Sequence, residues 1–125
     1  MISHIDHLVL TVESLDTTCD FYVRTLGFER QDVAGKPTAL HFGQCKINVH
    51  QRDHTFEPKA AHPTYGSADF CLITEQSLDS IQAQLKGQHI VIEEGPVSRN
   101  GARGPMMSIY FRDPDQNLVE VSHYD

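Results

Sequence analysis

Tryptophan is absent from this 125-residue chain, cysteine occurs three times, and cations are outnumbered, 10 Lys and Arg against 17 Asp and Glu. The formal net charge of −7 leaves little of the basic surface that a nucleic acid or an anionic membrane attracts, so neither is an expected partner. No apolar run approaches the roughly 18 residues of a membrane span. Met1 to Asp6 lacks the basic and apolar regions of a secretory signal. Cys19, Cys45 and Cys71 are odd in number and form no Cys-x-x-Cys pair, a pattern that fits reduced thiols in a cytosol rather than a disulfide framework. What is present is ordinary for a folded protein. Hydrophobic residues make up 39%, with 8 glycines besides, which excludes disorder and fibre. Two independently folded domains of about 60 residues would each be marginal. The expectation is one soluble cytoplasmic domain over residues 1–125.

Eight histidines are the unusual count, since imidazole is the commonest metal ligand and titrates near neutrality. His4, His54, His62, His89 and His123 sit among polar or loop-like neighbours and read as surface residues.

Periodicity divides the chain into elements. His7 to Val12 alternates as a strand, with Leu8, Leu10 and Val12 on one face. Leu15, Cys19, Tyr22 and Leu26 then fall on one stripe of an amphipathic helix, with Ser14 to cap it and Gly27 to end it. Strands are expected at 28–33, 38–42 and 46–51. A polar stretch with Pro58 and Pro63 reads as a linker over 53–65. A strand over 68–74 follows, then a helix carrying Leu78, Ile81 and Leu85 on one face, capped by Ser77 and stopped near Gly87. A strand is expected at 90–93, a Gly- and Pro-rich loop over 95–105, and strands at 106–111 and 117–122.

The order strand, helix, three strands thus occurs twice, as module 1 over about 1–52 and module 2 over about 66–125. The letters repeat as well: Ser14-Leu15-Asp16-Thr17 returns as Ser77-Leu78-Asp79-Ser80. An α+β chain of two βαβββ modules is the predicted architecture, because one module of about 60 residues cannot bury both faces of its sheet.

Superposing the repeats sets His7 opposite Asp69 and Asn48 opposite Glu120, with His50 opposite Ser122. Residues two apart share a strand face, so Asn48 and His50 point the same way. Glu120 lies within the apolar run Leu118-Val119-Glu120-Val121, where a buried carboxylate needs a partner. An imidazole and two carboxylates brought together make a nitrogen and oxygen site for a divalent metal. The loop from Ser98 to Gly104 carries Arg99 and Arg103, and an arginine there suits a bidentate clamp on a substrate anion. Its alternative is a solvated loop. Cys19 and Cys71 read as inert, and Met106-Met107 as gap-filling core.

Three stretches resemble one known family. Ile5-Asp6-His7-Leu8-Val9-Leu10-Thr11-Val12 is similar to the first strand of the vicinal oxygen chelate superfamily. Phe21-Tyr22-Val23-Arg24-Thr25-Leu26-Gly27-Phe28 resembles its F-Y-x-x-x-L-G-F helix ending. Phe111-Arg112-Asp113-Pro114-Asp115-Gln116-Asn117-Leu118-Val119-Glu120 resembles its D-P-D-G-N-x-x-E hairpin, with Gln116 where glycine is usual. Two further stretches, His62 to Asp69 and Gly104 to Pro114, resemble members that carry the glyoxalase domain.

The resemblance implies a glyoxalase/bleomycin-resistance/dioxygenase-type fold in which paired modules hold one divalent metal (Mn, Zn, Fe, Ni or Mg) as a Lewis acid for a small oxygen-chelating substrate. It assigns His7 and Glu120 as metal ligands, with Asp69 standing where glyoxalase I has His. Asn48 stands where glyoxalase I has Glu, which makes Asn48 a substrate-binding candidate and leaves base catalysis to His50 or Glu120. Arg103 is the second substrate-binding candidate. The expected function is a lyase, isomerase or thiol transferase. The alternatives are a metal-free sequestering protein of the bleomycin-resistance type and an extradiol-type dioxygenase, for which His7, His50 and Glu120 have the ligand composition. The expected partners are a small-molecule substrate and a second copy of the chain, because pairing covers exposed sheet edges and apolar surface.

Overall fold

A computed structural model describes all 125 residues, in two compact units, Met1–Ser67 and Ala68–Asp125. Each unit is a four-stranded mixed sheet with one helix, so the chain is α+β with the two modules expected from the repeat. No helix is long and apolar enough to cross a membrane.

Unit 1 contains β1 (His7–Val12), α1 (Leu15–Leu26), β2 (Glu29–Gln31), β3 (Thr38–Phe42) and β4 (Cys45–Gln51). Its strand order is β1-β4-β3-β2, parallel between β1 and β4 and antiparallel elsewhere. Helix α1 starts where expected, the Ser14 hydroxyl accepting from Thr17 N. It ends at Gly27, whose φ of 72° is the left-handed conformation a helix C-terminus uses. Its inward face buries Cys19, Phe21 and Tyr22. Tyr22 stacks on Phe28 at 5.5 Å between ring centroids, and Phe28 on Phe42 at 4.5 Å. Leu10, Val12, Leu40, Ile47 and Val49 complete this core.

Unit 2 contains β5 (Asp69–Ile73), α2 (Leu78–Gly87), β6 (Glu94–Gly101), β7 (Gly104–Arg112) and β8 (Leu118–Tyr124) in the order β5-β8-β7-β6. Ser77 caps α2 through Ser80 N, and Leu78, Ile81 and Leu85 form its buried face. They share the core with Ile109, Phe111, Val119 and Val121. At the β7–β8 turn the buried Asp113 carboxylate accepts from Asp115 N, Asn117 N and Asn117 Nδ2, which fixes the hairpin.

One expectation fails in unit 2. Residues 90–93 form no strand, and most of the expected loop over 95–105 is instead β6 and the start of β7. The sequence Glu94-Gly95-Pro96-Val97-Ser98-Arg99-Asn100-Gly101 has poor strand propensity. It is extended because β7 supplies a ladder partner, with a register irregularity between Glu94 and Val97. An edge strand tolerates Gly and Pro where a central strand does not.

Candidate functional site

The two sheets repeat in register. In unit 1 the parallel ladder pairs His7 with Lys46 and Val9 with Asn48; in unit 2 it pairs Asp69 with Leu118 and Cys71 with Glu120. His7 and Asp69 therefore occupy equivalent ladder positions, as do Asn48 and Glu120. Each is on the face that alternation turns away from its unit's helix-covered core.

On that face of unit 1, His7, Val9 and Thr11 of β1 run beside Lys46, Asn48 and His50 of β4. His7 Nδ1 lies 2.8 Å from Asp6 Oδ1, which leaves Nε2 as the free ring nitrogen. The same bond holds the Asp6 carboxyl below its usual range. Asn48 Oδ1 is buried without a hydrogen-bond partner. An unmade bond of that kind costs about 1–3 kcal/mol, so the oxygen is an acceptor waiting for a donor or a cation. His50 is only 4% exposed and packs against Phe56 at 5.3 Å between ring centroids. Burial, with Lys59 adding to it, pushes its imidazole below the usual value. It is therefore neutral at pH 7 and able to accept a proton.

The corresponding face of unit 2 is a hydrogen-bonded chain. Ser122 Oγ donates to Glu120 Oε2 at 3.2 Å and is joined to Ser108 Oγ at 2.6 Å and Cys71 Sγ at 3.2 Å. Partial burial pushes the Cys71 thiol up, so it stays protonated at neutrality. Tyr110 is the ladder partner of Glu120 across β7–β8. Its hydroxyl accepts from Arg99 Nε at 3.0 Å, while Arg99 Nη2 donates to Glu94 Oε1. Burial raises the Tyr110 phenol, and Glu120 adds to that. Asp69 is exposed, one diagonal step from Glu120.

Arg103 sits in the tight turn between β6 and β7, with its guanidinium 4.4 Å from the Tyr124 ring centroid and its backbone N–H donating to the Tyr124 hydroxyl. Arg99, rather than Arg103, is the cation bonded beside Glu120's neighbour. The supporting residues Asp6, Tyr110 and Ser122 escape sequence reasoning. Only Asp6, directly beside a candidate ligand, carried a readable signal.

Each unit carries donor types that suit a divalent cation: in unit 1 a histidine held by a carboxylate on its other nitrogen and an orphaned amide oxygen, in unit 2 the carboxylates of Asp69 and Glu120. Within neither unit do three His, Cys, Asp or Glu side chains converge as a preformed metal cluster.

Residues 4–121 match the family model described as Glyoxalase/Bleomycin resistance protein/Dioxygenase superfamily. The chain is 50% identical over 124 residues to virulence protein STM3117 of Salmonella typhimurium, spanning 99% of this chain and 86% of that one. The crystal structure of that protein superposes with a TM-score of 0.97, over 100% of this chain and 99% of that one. Two more distant structures share the fold. A lactoylglutathione lyase from Agrobacterium tumefaciens is 22% identical with a TM-score of 0.76, over 98% of this chain and 95% of that one. TnmS3, an antibiotic binding protein from Streptomyces sp. CB03234, is 22% identical with a TM-score of 0.74, over 99% and 98%.

Proposed function

This chain belongs to the glyoxalase/bleomycin resistance protein/dioxygenase superfamily, and we propose that it is a metal-dependent enzyme acting on a small oxygen-chelating substrate as a lyase, isomerase or thiol transferase. The observation that carries this reading is the Asp6–His7 pair. A carboxylate on Nδ1 fixes the ring and its tautomer and presents Nε2, the outer-shell arrangement typical of a metal-ligating histidine.

His7 and Glu120 are the proposed ligands, with Asp69 as the third. A bound divalent ion would supply Lewis-acid polarisation of the substrate's oxygens. The remaining work falls to the chain's own groups. Neutral His50, kept dry by Phe56, takes a proton at its free nitrogen. Glu120 is the second proton carrier, its carboxylate oriented by Ser122. Asn48 offers Oδ1 to a substrate hydroxyl. Arg103, pinned over Tyr124, is proposed to meet the substrate's anionic end.

We further propose a cytoplasmic homodimer in which a metal site draws on both copies. Exposed edge strands and exposed apolar residues such as Val9 and Ile73 support pairing. The test is metal analysis of protein purified without chelators, followed by subunit exchange between His7→Ala and Glu120→Ala chains. Recovery of one metal per mixed dimer supports ligands from different copies.

A metal-free binding protein of the bleomycin-resistance type is the second reading. Asn48, a neutral side chain where glyoxalase I has Glu, favours it. Protein that takes up no divalent ion yet binds small molecules would establish it. Oxygen uptake with catechols would instead favour a dioxygenase.

A further inference from the structure

A cleft of about 400 Å³ opens in unit 1, with Leu15, Lys36, Thr38, Val49, Gln51 and Phe56 among its lining. Its size falls within the roughly 300–1,000 Å³ of small-molecule pockets. Thr38 and Val49 are ladder partners, and Val49 points away from the Asn48 and His50 side of β4. The cleft is thus framed by residues of the α1 side, apart from the face that carries His7.

Its polar lining is already committed. Gln51 Oε1 accepts from Leu15 N and Gln51 Nε2 donates to Asp53. The Thr38 hydroxyl donates to Asp32, itself paired with Arg30. No carboxylate is among the lining residues, and Lys36 is exposed. Leu15, Val49 and Phe56 supply apolar wall, with the His54 ring edge-on to Phe56 at 6.0 Å. Asp32 and Asp53 stand behind the lining, Asp32 paired with Arg30, so the Lys36 cation and the aromatic wall are what the cleft offers, and together they favour an anion with a flat apolar body.

We propose that this cleft is a second ligand site, which takes a small aromatic carboxylate with its ring against Phe56 and its carboxylate at Lys36. Phe56 also packs against His50, so an occupant of the cleft presses on the residue that keeps the His50 imidazole dry.

The test is an amide and side-chain NMR titration of the intact protein with benzoate, with benzamide as its neutral counterpart. Saturable shifts are expected at Leu15, Lys36, Thr38, Gln51 and Phe56, with benzamide several-fold weaker. Lys36→Met should weaken benzoate about three- to fivefold and leave benzamide unchanged, while Phe56→Leu should weaken both. Lys36 is an exposed turn residue, and retained spectral dispersion verifies that each variant folds. Equal affinity for the two probes, no effect of Lys36→Met, or no saturation by about 10 mM benzoate overturns the proposal. Shifts centred on His7 or Asn48, on the other face of the unit 1 sheet, or on Glu120 in unit 2 also overturn it.

Discussion

Asp6 Oδ1 and His7 Nδ1 are 2.8 Å apart although both side chains are largely exposed, at 78% and 44%. Solvated neighbours gain little stability from such a contact; what it determines is which ring nitrogen stays free. Asp6→Ala should therefore leave the urea midpoint unchanged while weakening divalent-metal binding by roughly 10- to 100-fold. Calorimetric titration with Mn²⁺ or Zn²⁺ measures it, and equal affinity in the variant would remove the main support for His7 as a ligand.

His50 gives a pH dependence with a definite sign. Burial lowers its folded pKa below the usual value of 6.5, so the unfolded chain binds the proton more readily. The stability this residue contributes is present above about pH 6.5 and is lost as pH falls through the unfolded and then the folded pKa. Urea titrations between about pH 5 and 7.5 should show a steeper acid loss for the native chain than for His50→Gln.

Ser122 is the junction of the unit 2 network. Its hydroxyl donates to Glu120, which leaves its oxygen to accept from Ser108, fully buried at 0% exposure. Ser122→Ala should cost about 1–3 kcal/mol in urea unfolding, because Ser108 loses its side-chain partner in the core. Adding Ser108→Ala should cost less than the sum of the single changes.

Gln116 sits at φ 69° where the related motif has glycine. A left-handed non-glycine residue costs roughly 1–2 kcal/mol, and glycine's extra backbone freedom returns part of that. Gln116→Gly should stabilise the chain by about 0.5–1 kcal/mol, read as a higher midpoint with unchanged slope.

Legibility in the sequence followed the range of the interaction. Ser14, Gly27 and Ser77 act within one helical turn of themselves, and the structure uses all three as caps. The internal repeat was legible because duplicated strands keep duplicated spacing, which is why Asn48 and Glu120 land on equivalent rungs. Residues 94–101 were not legible, since a Gly- and Pro-containing edge becomes a strand only through its partner β7. Tyr110 was hidden for a related reason, and Arg99, legible only as a loop cation, lies in β6 instead. Their roles depend on the β6–β7–β8 register, which short-range pattern cannot supply.

The strand order β1-β4-β3-β2, repeated as β5-β8-β7-β6, has a consequence for synthesis on the ribosome. In each unit the strand translated last is inserted into the interior of the sheet, with its first-translated partner on one side. Until Gln51 has emerged from the exit tunnel, β1 has no hydrogen-bonding neighbour at all, and β5 waits likewise for β8. Each half of the nascent protein therefore leaves its first strand unpaired until its final strand arrives, and that arrival joins all four strands in one step. The last strand of unit 1 is translated before the first strand of unit 2.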